Sequence, residues 1–170
     1  MARGMQQSGL REGSGVLYLG ASHGYTPSFF SDIVGASGML FCLDFAPRVV
    51  RDLVFVCATR ENMAPILADA GTPESYADLV PPGGVDVVYQ DIAQRDQVRI
   101  FLVNCDRFLK TGGHGMLAIK ARSMDVTKRP QELFREIRKT FEEHAGYTVI
   151  EYRELDPFER DHAFFVVKKR

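Results

Sequence analysis

From Val16 onward, short apolar runs alternate with amphipathic stretches. VLYLG (Val16–Gly20) is apolar without alternation, the pattern of a strand buried on both faces. A helix is predicted after it, from about Pro27 to Val34, with Pro27 in the first turn and Gly35 near the end. MLFCLDF (Met39–Phe45) reads as a second strand. Pro47 then opens a helix whose Val49, Val50, Leu53, Val56 and Cys57 share one face. MAPILA (Met63–Ala68) is a third strand, placed at an edge because Pro65 cannot donate to a ladder. GTPESYADLVPPGG holds a short helix at most. VDVVYQD (Val85–Asp91) is the fourth strand, and Asp96 to Leu109 is an amphipathic helix with Val98, Phe101, Leu102, Cys105 and Leu109 inward. GHGMLAIKA (Gly113–Ala121) is the fifth strand, followed by a helix from Lys128 to about His144. Two extended segments, YTVIEYREL and HAFFVVKK, close the chain around a turn at Pro157.

Such βα alternation gives an α/β fold with a mostly parallel sheet covered on both faces, and the short final connection adds one antiparallel strand. Residues 1–15 are rich in Gly, Ser and Gln without periodicity and read as a flexible lead-in, leaving residues 16–170 as one domain.

Composition narrows the class. Hydrophobic residues are 45% and charged residues 25% of 170, as in an ordinary globular protein. No apolar run approaches the roughly 20 residues that span a bilayer, so no membrane partner is expected, and the N-terminus has no apolar signal core. Cys42, Cys57 and Cys105 are widely spaced in apolar contexts and read as buried thiols in a reducing compartment. His23, His114, His144 and His162 share no ligand spacing, so no metal is expected. The net charge of −1 argues against autonomous nucleic-acid binding. Residues 1–109 carry 8 basic and 12 acidic side chains, against 13 and 10 in residues 110–170, so any basic face belongs to the C-terminal half. No lysine precedes Lys110.

Candidate chemistry lies at the strand ends, because a doubly wound sheet binds its ligand outside the carboxyl ends of the strands. Gly20 to Gly24 is a G-x-x-x-G turn with neither the dinucleotide fingerprint nor a P-loop, and a plain tight turn explains it as well as a ligand cradle does. Asp44, ending the second strand, can accept from both ribose hydroxyls. Asp69-Ala70, ending the third, can accept from an adenine amine. Together these favour an adenosyl group, and the missing pyrophosphate fingerprint favours S-adenosylmethionine over NAD. Asp91 to Gln94 lies opposite the reactive end of the same cofactor. Lys120 interrupts an apolar run and needs a partner. Asp91 is the natural one, although an ion pair at the rim would account for both. Arg122, Lys128 and Arg129, beyond the fifth strand, are placed to contact phosphates but are too few to hold RNA alone. His162 either helps bind RNA or orders its loop.

VLYLGASHGYT, SDIVGASG, LDFAPRVVRDLV, APILADAGTPESY, VDVVYQDIAQRDQ, GGHGMLAIKARSMDVTK and LDPFERDHAFFVV follow one another across nearly all of the chain from Val16. In that order they resemble fibrillarin, specifically the archaeal fibrillarin-like 2′-O-methyltransferases. The resemblance implies a Rossmann-like methyltransferase fold dependent on S-adenosyl-L-methionine, with a seven-stranded sheet whose last strand is antiparallel. It implies cofactor contacts from Gly20, Ala21, Gly24, Tyr25 and Thr26, from the ribose and adenine pair Asp44 and Phe45, from Asp69 and Ala70, and from Asp91, Ile92, Ala93 and Gln94. Lys120 and Asp91 match two members of a catalytic lysine–aspartate–lysine set. The family methylates ribose 2′-hydroxyls of rRNA and tRNA at sites chosen by box C/D guide RNA. It does so on a Nop-family scaffold protein beside a kink-turn-binding protein, in the archaeal cytoplasm or the eukaryotic nucleolus.

The sequence departs from that pattern at three places. His23 and Tyr25 replace small or hydroxyl residues, aspartate stands at position 44 where glutamate is usual, and the N-terminal extension carrying the remaining lysine has no counterpart. Two other readings stay open at this level: a noncatalytic adaptor with the same fold, and a methyltransferase with another acceptor. The sequence also leaves open whether Lys120 is a general base or a charge that stabilises the developing alkoxide.

Overall fold

The computed structural model describes residues 7–170. In order, its elements are β1 (Gly15–Leu19), α1 (Tyr25–Val34), β2 (Met39–Asp44), α2 (Pro47–Ala58), β3 (Met63–Leu67), a 3₁₀ stretch (Pro73–Leu79), β4 (Val85–Gln90), α3 (Gln97–Phe108), β5 (Leu109–Lys120), the single turn α4 (Ala121–Met124), α5 (Pro130–Glu143), β6 (Tyr147–Glu154) and β7 (His162–Lys169). The strands form one sheet ordered β3-β2-β1-β4-β5-β7-β6, in which β7 alone runs antiparallel to its neighbours. β3 and its Pro65 lie at an edge, as the missing N–H requires.

Side chains alternate across a strand, so each central strand feeds two cores. Leu17 and Leu19 join Ile100, Phe101, Phe134 and Phe141 on the face covered by α3 and α5. Val16 and Tyr18 join Phe30, Val34, Leu53 and Cys57 on the face covered by α1 and α2. The second cover is partial. α1 packs on β2, and α2 on β2 and β3, whereas Tyr89, Met116, Ala118 and Phe164 of β4, β5 and β7 line an open cleft of about 980 Å³.

The differences from the sequence pattern have physical causes. α1 begins at Tyr25 because Gly24 takes a left-handed φ of 88° at its N-cap. β5 starts at Leu109, across a register shift opposite Val85 and Val87 that the alternation could not signal. α3 turns Gln97 and Asn104 into the core beside Ile100, Phe101, Cys105 and Phe108, while Val98 and Leu102 are only partly buried. Asn104 is satisfied there by the Ala70 and Ile100 carbonyls and by the Tyr76 hydroxyl, so its burial leaves no orphan polar group.

The expected flexible lead-in is pinned at its described end. Gly13 N–H donates to the Val34 carbonyl at 2.8 Å, Ser14 is buried, and Gly15 already belongs to β1. The part of that expectation falling on residues 1–6 lies outside the described residues. All three cysteines are buried free thiols, as their apolar contexts suggested. Among the described residues no helix is long and apolar enough to cross a membrane.

Candidate active site

β1 is followed by Gly20, whose N–H and that of Ala21 both donate to the Leu43 carbonyl at 2.9 Å, tying the turn to β2. A Cβ on Gly20 would stand 2.3 Å from the Asp91 carbonyl oxygen, and one on Gly24 would stand 2.9 Å from Leu53 Cδ1. Both glycines also have positive φ. What they bring close is the chain itself: the end of β4 on one side and α2 on the other. That approach gathers three strand ends on one rim.

Asp44 is oriented there by backbone N–H groups. Its Oδ2 accepts from Ser22 N–H at 2.9 Å and its Oδ1 from Ala46 N–H at 3.1 Å, with Ser22 held at φ 49°. Each oxygen keeps a further lone pair for a ribose hydroxyl. Phe45 is 63% exposed next to it, an apolar ring open to a flat partner. Asp69 accepts from Gly71 N–H at 2.8 Å, and the adjoining Ala70 is buried with its carbonyl held by Asn104. Two oriented acids and an exposed ring at adjacent strand ends fit an adenosyl group.

Asp91 and Lys120 leave the ends of β4 and β5 and meet at 2.8 Å between Oδ1 and Nζ. That oxygen is buried, and the contact is a close ion pair. The rim pair considered from the sequence is therefore formed, and it stands in the wall of the 980 Å³ cleft with Thr26 and Tyr89. Burial, reinforced by the Asp91 charge, pushes the Tyr89 phenol far up, so it stays protonated. Among the described residues lining the cleft, Lys120 is the single lysine.

His162 belongs to the same cleft. It lies across the β5–β7 ladder from Lys120, its Nδ1–H donates to the Arg160 carbonyl at 2.7 Å, and its Nε2 stands 3.6 Å from Glu159. The other proposed RNA contacts are not in the cleft wall. Arg122 is paired with Asp161 at 2.8 Å and Lys128 with Glu136 at 2.7 Å, while Arg129 is exposed at the N-cap of α5. Ile92, Ala93 and Gln94 continue along the rim after β4, with Ile92 against Gly20. Tyr25 is 76% exposed at the first position of α1, its ring 6.4 Å from that of His23.

Strand order, the single antiparallel strand and the acid-bearing strand ends define a Rossmann-like methyltransferase of the class that uses S-adenosylmethionine. The fibrillarin family model matches residues 1–170, and the chain belongs to that family. A fibrillarin-like rRNA/tRNA 2′-O-methyltransferase of Pyrococcus abyssi is 46% identical over 166 residues, which are 98% of this chain and 71% of that one. Aeropyrum pernix fibrillarin, solved with natively bound S-adenosyl-L-methionine, superposes with a TM-score of 0.85 at 44% identity, over 97% of this chain and 70% of the other. A fibrillarin chain from a complex with Nop5p superposes at 0.88 with 35% identity, over 95% and 75%.

Sequence reasoning missed three contributors. Ser22, which orients Asp44, is marked only by its place between the glycines. Gln97 is legible as a polar residue at a helix start, in the motif DIAQRDQ, but its inward direction is not. Asp161, which pairs with Arg122 and caps Ala121 N–H through its carbonyl, gave no signal beyond its neighbour His162.

Proposed function

We propose that this chain is an S-adenosylmethionine-dependent RNA 2′-O-methyltransferase acting on rRNA and tRNA. In this reading it is the catalytic subunit of a guide-RNA particle with a Nop-family scaffold and a kink-turn-binding protein. The observation that carries the proposal is the Lys120–Asp91 ion pair at the junction of the adenosyl-fitting rim and the open cleft. Family membership supports the choice of acceptor.

When bound, the cofactor supplies a methyl group on a sulfonium. Asp44 and Phe45 would hold the ribose and adenine, Asp69 and Ala70 the adenine edge, and Gly20 to Thr26 together with Asp91 to Gln94 would hold the methionine end. The 2′-oxygen of the target would bond to the methyl carbon as the carbon–sulfur bond breaks and leaves a neutral thioether, and its proton would pass to Lys120 or to water. Lys120 Nζ is the group placed to meet that oxygen, and Asp91 fixes where Nζ stands. Tyr89, kept protonated by burial, is no competing base. Arg122, Lys128, Arg129 and His162 contact the RNA weakly, which suits an enzyme delivered to RNA by partners.

Single-turnover methylation in a reconstituted particle tests this, with mass mapping of the product. Methyl on the ribose of the guided nucleotide is expected. No transfer, with cofactor bound, would establish the adaptor reading instead, and methyl on a base or a protein would establish another acceptor.

A further inference from the structure

β4 stops pairing with β5 at Gln90 opposite Leu117, while β5 continues to Lys120 with only β7 beside it. The backbone of Lys120 on the β4 side would be left without a ladder. The Gln97 side chain fills that place. Its Oε1 accepts from Lys120 N–H at 3.2 Å and its Nε2 donates to the Lys120 carbonyl at 3.2 Å. One amide thus supplies the acceptor and donor that a neighbouring strand would have supplied.

Gln97 is fully buried, as is Gln90, whose Nε2 donates to the Gln97 carbonyl at 2.7 Å. Gln90 directly precedes Asp91. The connection therefore runs from the residue before one member of the ion pair, through the first turn of α3, to the backbone of the other. A buried amide with both ends engaged holds its partner strongly, because every broken bond leaves an unsatisfied polar group.

We infer that Gln97 is a positioning residue for the reaction: it stands in for the missing strand and holds the Lys120 backbone extended, so that Nζ meets Asp91 and faces the cleft. This rests on the proposed function of the Lys120–Asp91 pair. Gln97 does not itself line the cleft, and its side chain reaches the cleft wall through the Lys120 backbone.

Gln97→Met keeps the length and volume of the side chain and removes both bonds. Three measurements on the whole chain test it: amide hydrogen exchange, cofactor affinity by calorimetry, and single-turnover transfer in the particle. Exchange at the Lys120 amide should accelerate by about tenfold or more while the Leu117 and Ala118 amides hold. Cofactor affinity should stay within about twofold, and transfer should fall roughly 10- to 100-fold, the scale of a misplaced reacting group. Unchanged exchange at Lys120 would overturn the inference, as would parallel losses of cofactor affinity and transfer, which mean general loosening. Should Gln97→Met not fold, Gln90→Met decides by the same readouts, with smaller shifts in the same directions. An inactive wild-type particle would count against the proposed function, and the exchange measurement would still decide whether Gln97 holds Lys120.

Discussion

The two halves of the sheet build their parts of the site differently. On the β1–β2–β3 side, Asp44 accepts from Ala46 and Asp69 from Gly71, each two residues on, and every strand is followed by its own turn. On the β4–β5–β7 side the contacts around Lys120 run between elements. Lys120 meets Asp91 from another strand, Gln97 from a helix and His162 across an antiparallel ladder, and Arg122 is anchored by Asp161. The half that fits the cofactor is built largely from strand-end turns, with Ser22 reaching Asp44 from the turn after β1. The half that fits the chemistry exists only through register. Substitutions should therefore separate binding from turnover along the β1/β4 boundary.

The largest expected effect tests that separation directly. Lys120→Ala should lower single-turnover methyl transfer by on the order of 10²–10⁴ while cofactor affinity by calorimetry stays nearly unchanged. Loss of binding together with rate would mean that the halves are not independent.

Gly20→Ala should break the comparison, because Gly20 joins the halves. With φ at 86° and a Cβ 2.3 Å from the Asp91 carbonyl oxygen, alanine strains the turn and pushes on the end of β4. A stability loss of about 2–5 kcal/mol is expected in denaturant titration, from backbone strain plus overpacking, with cofactor affinity and transfer both reduced. A variant as stable as the wild type would show that the turn can open without disturbing β4.

Asp44→Ala should sharpen it from the other side. Losing a charge-assisted bond to ribose weakens cofactor binding by roughly tenfold or more, measured by calorimetry, and transfer at saturating cofactor should be near wild type. An unchanged affinity would remove Asp44 from the ribose site.

The smallest effect lies at the far end of the strands. Asp86 accepts from Gly15 N–H at 2.8 Å and pairs with Lys110 at 2.9 Å, tying β1 and β5 to β4. Burial raises its carboxyl, but the Gly15 N–H and the Lys110 ammonium outweigh that and hold it below the usual range. A folded-state value below the unfolded one adds stability above about pH 4 and loses it as pH falls through the folded value. Asp86→Asn should therefore cost about 1 kcal/mol at pH 7, discounted for partial exposure, and the gap to wild type should close on acidification. Cofactor affinity should not change. A gap independent of pH would show that the carboxylate charge contributes nothing.

Much of this could be read from residue order, and the limits fall at identifiable positions. The strands around Leu17, Leu43, Val88 and Leu117 were legible because residues buried on both faces leave continuous apolar runs. The glycines were visible but their reason was not. Gly20 and Gly24 read as a possible ligand cradle, whereas the atoms they admit are the Asp91 carbonyl and Leu53. Gln97 and Asn104 fell outside the expected inward face of α3, because an amide in a core is stable only when distant backbone groups satisfy it.

The sequence by itself determined the βα alternation, the edge position of Pro65, the buried cysteines and the acids at the strand ends. Each of these follows from local periodicity or from the chemistry of one residue. Only the tertiary structure decided that the α1–α2 face leaves a cleft over β4, β5 and β7, that Asp91 and Lys120 meet at 2.8 Å, and that Gln97 takes the place of a strand beside Lys120. The reason is physical. Strand register and helix rotation are fixed by contacts between residues far apart in the chain, and a shift of one position would turn Lys120 to the opposite face of the sheet.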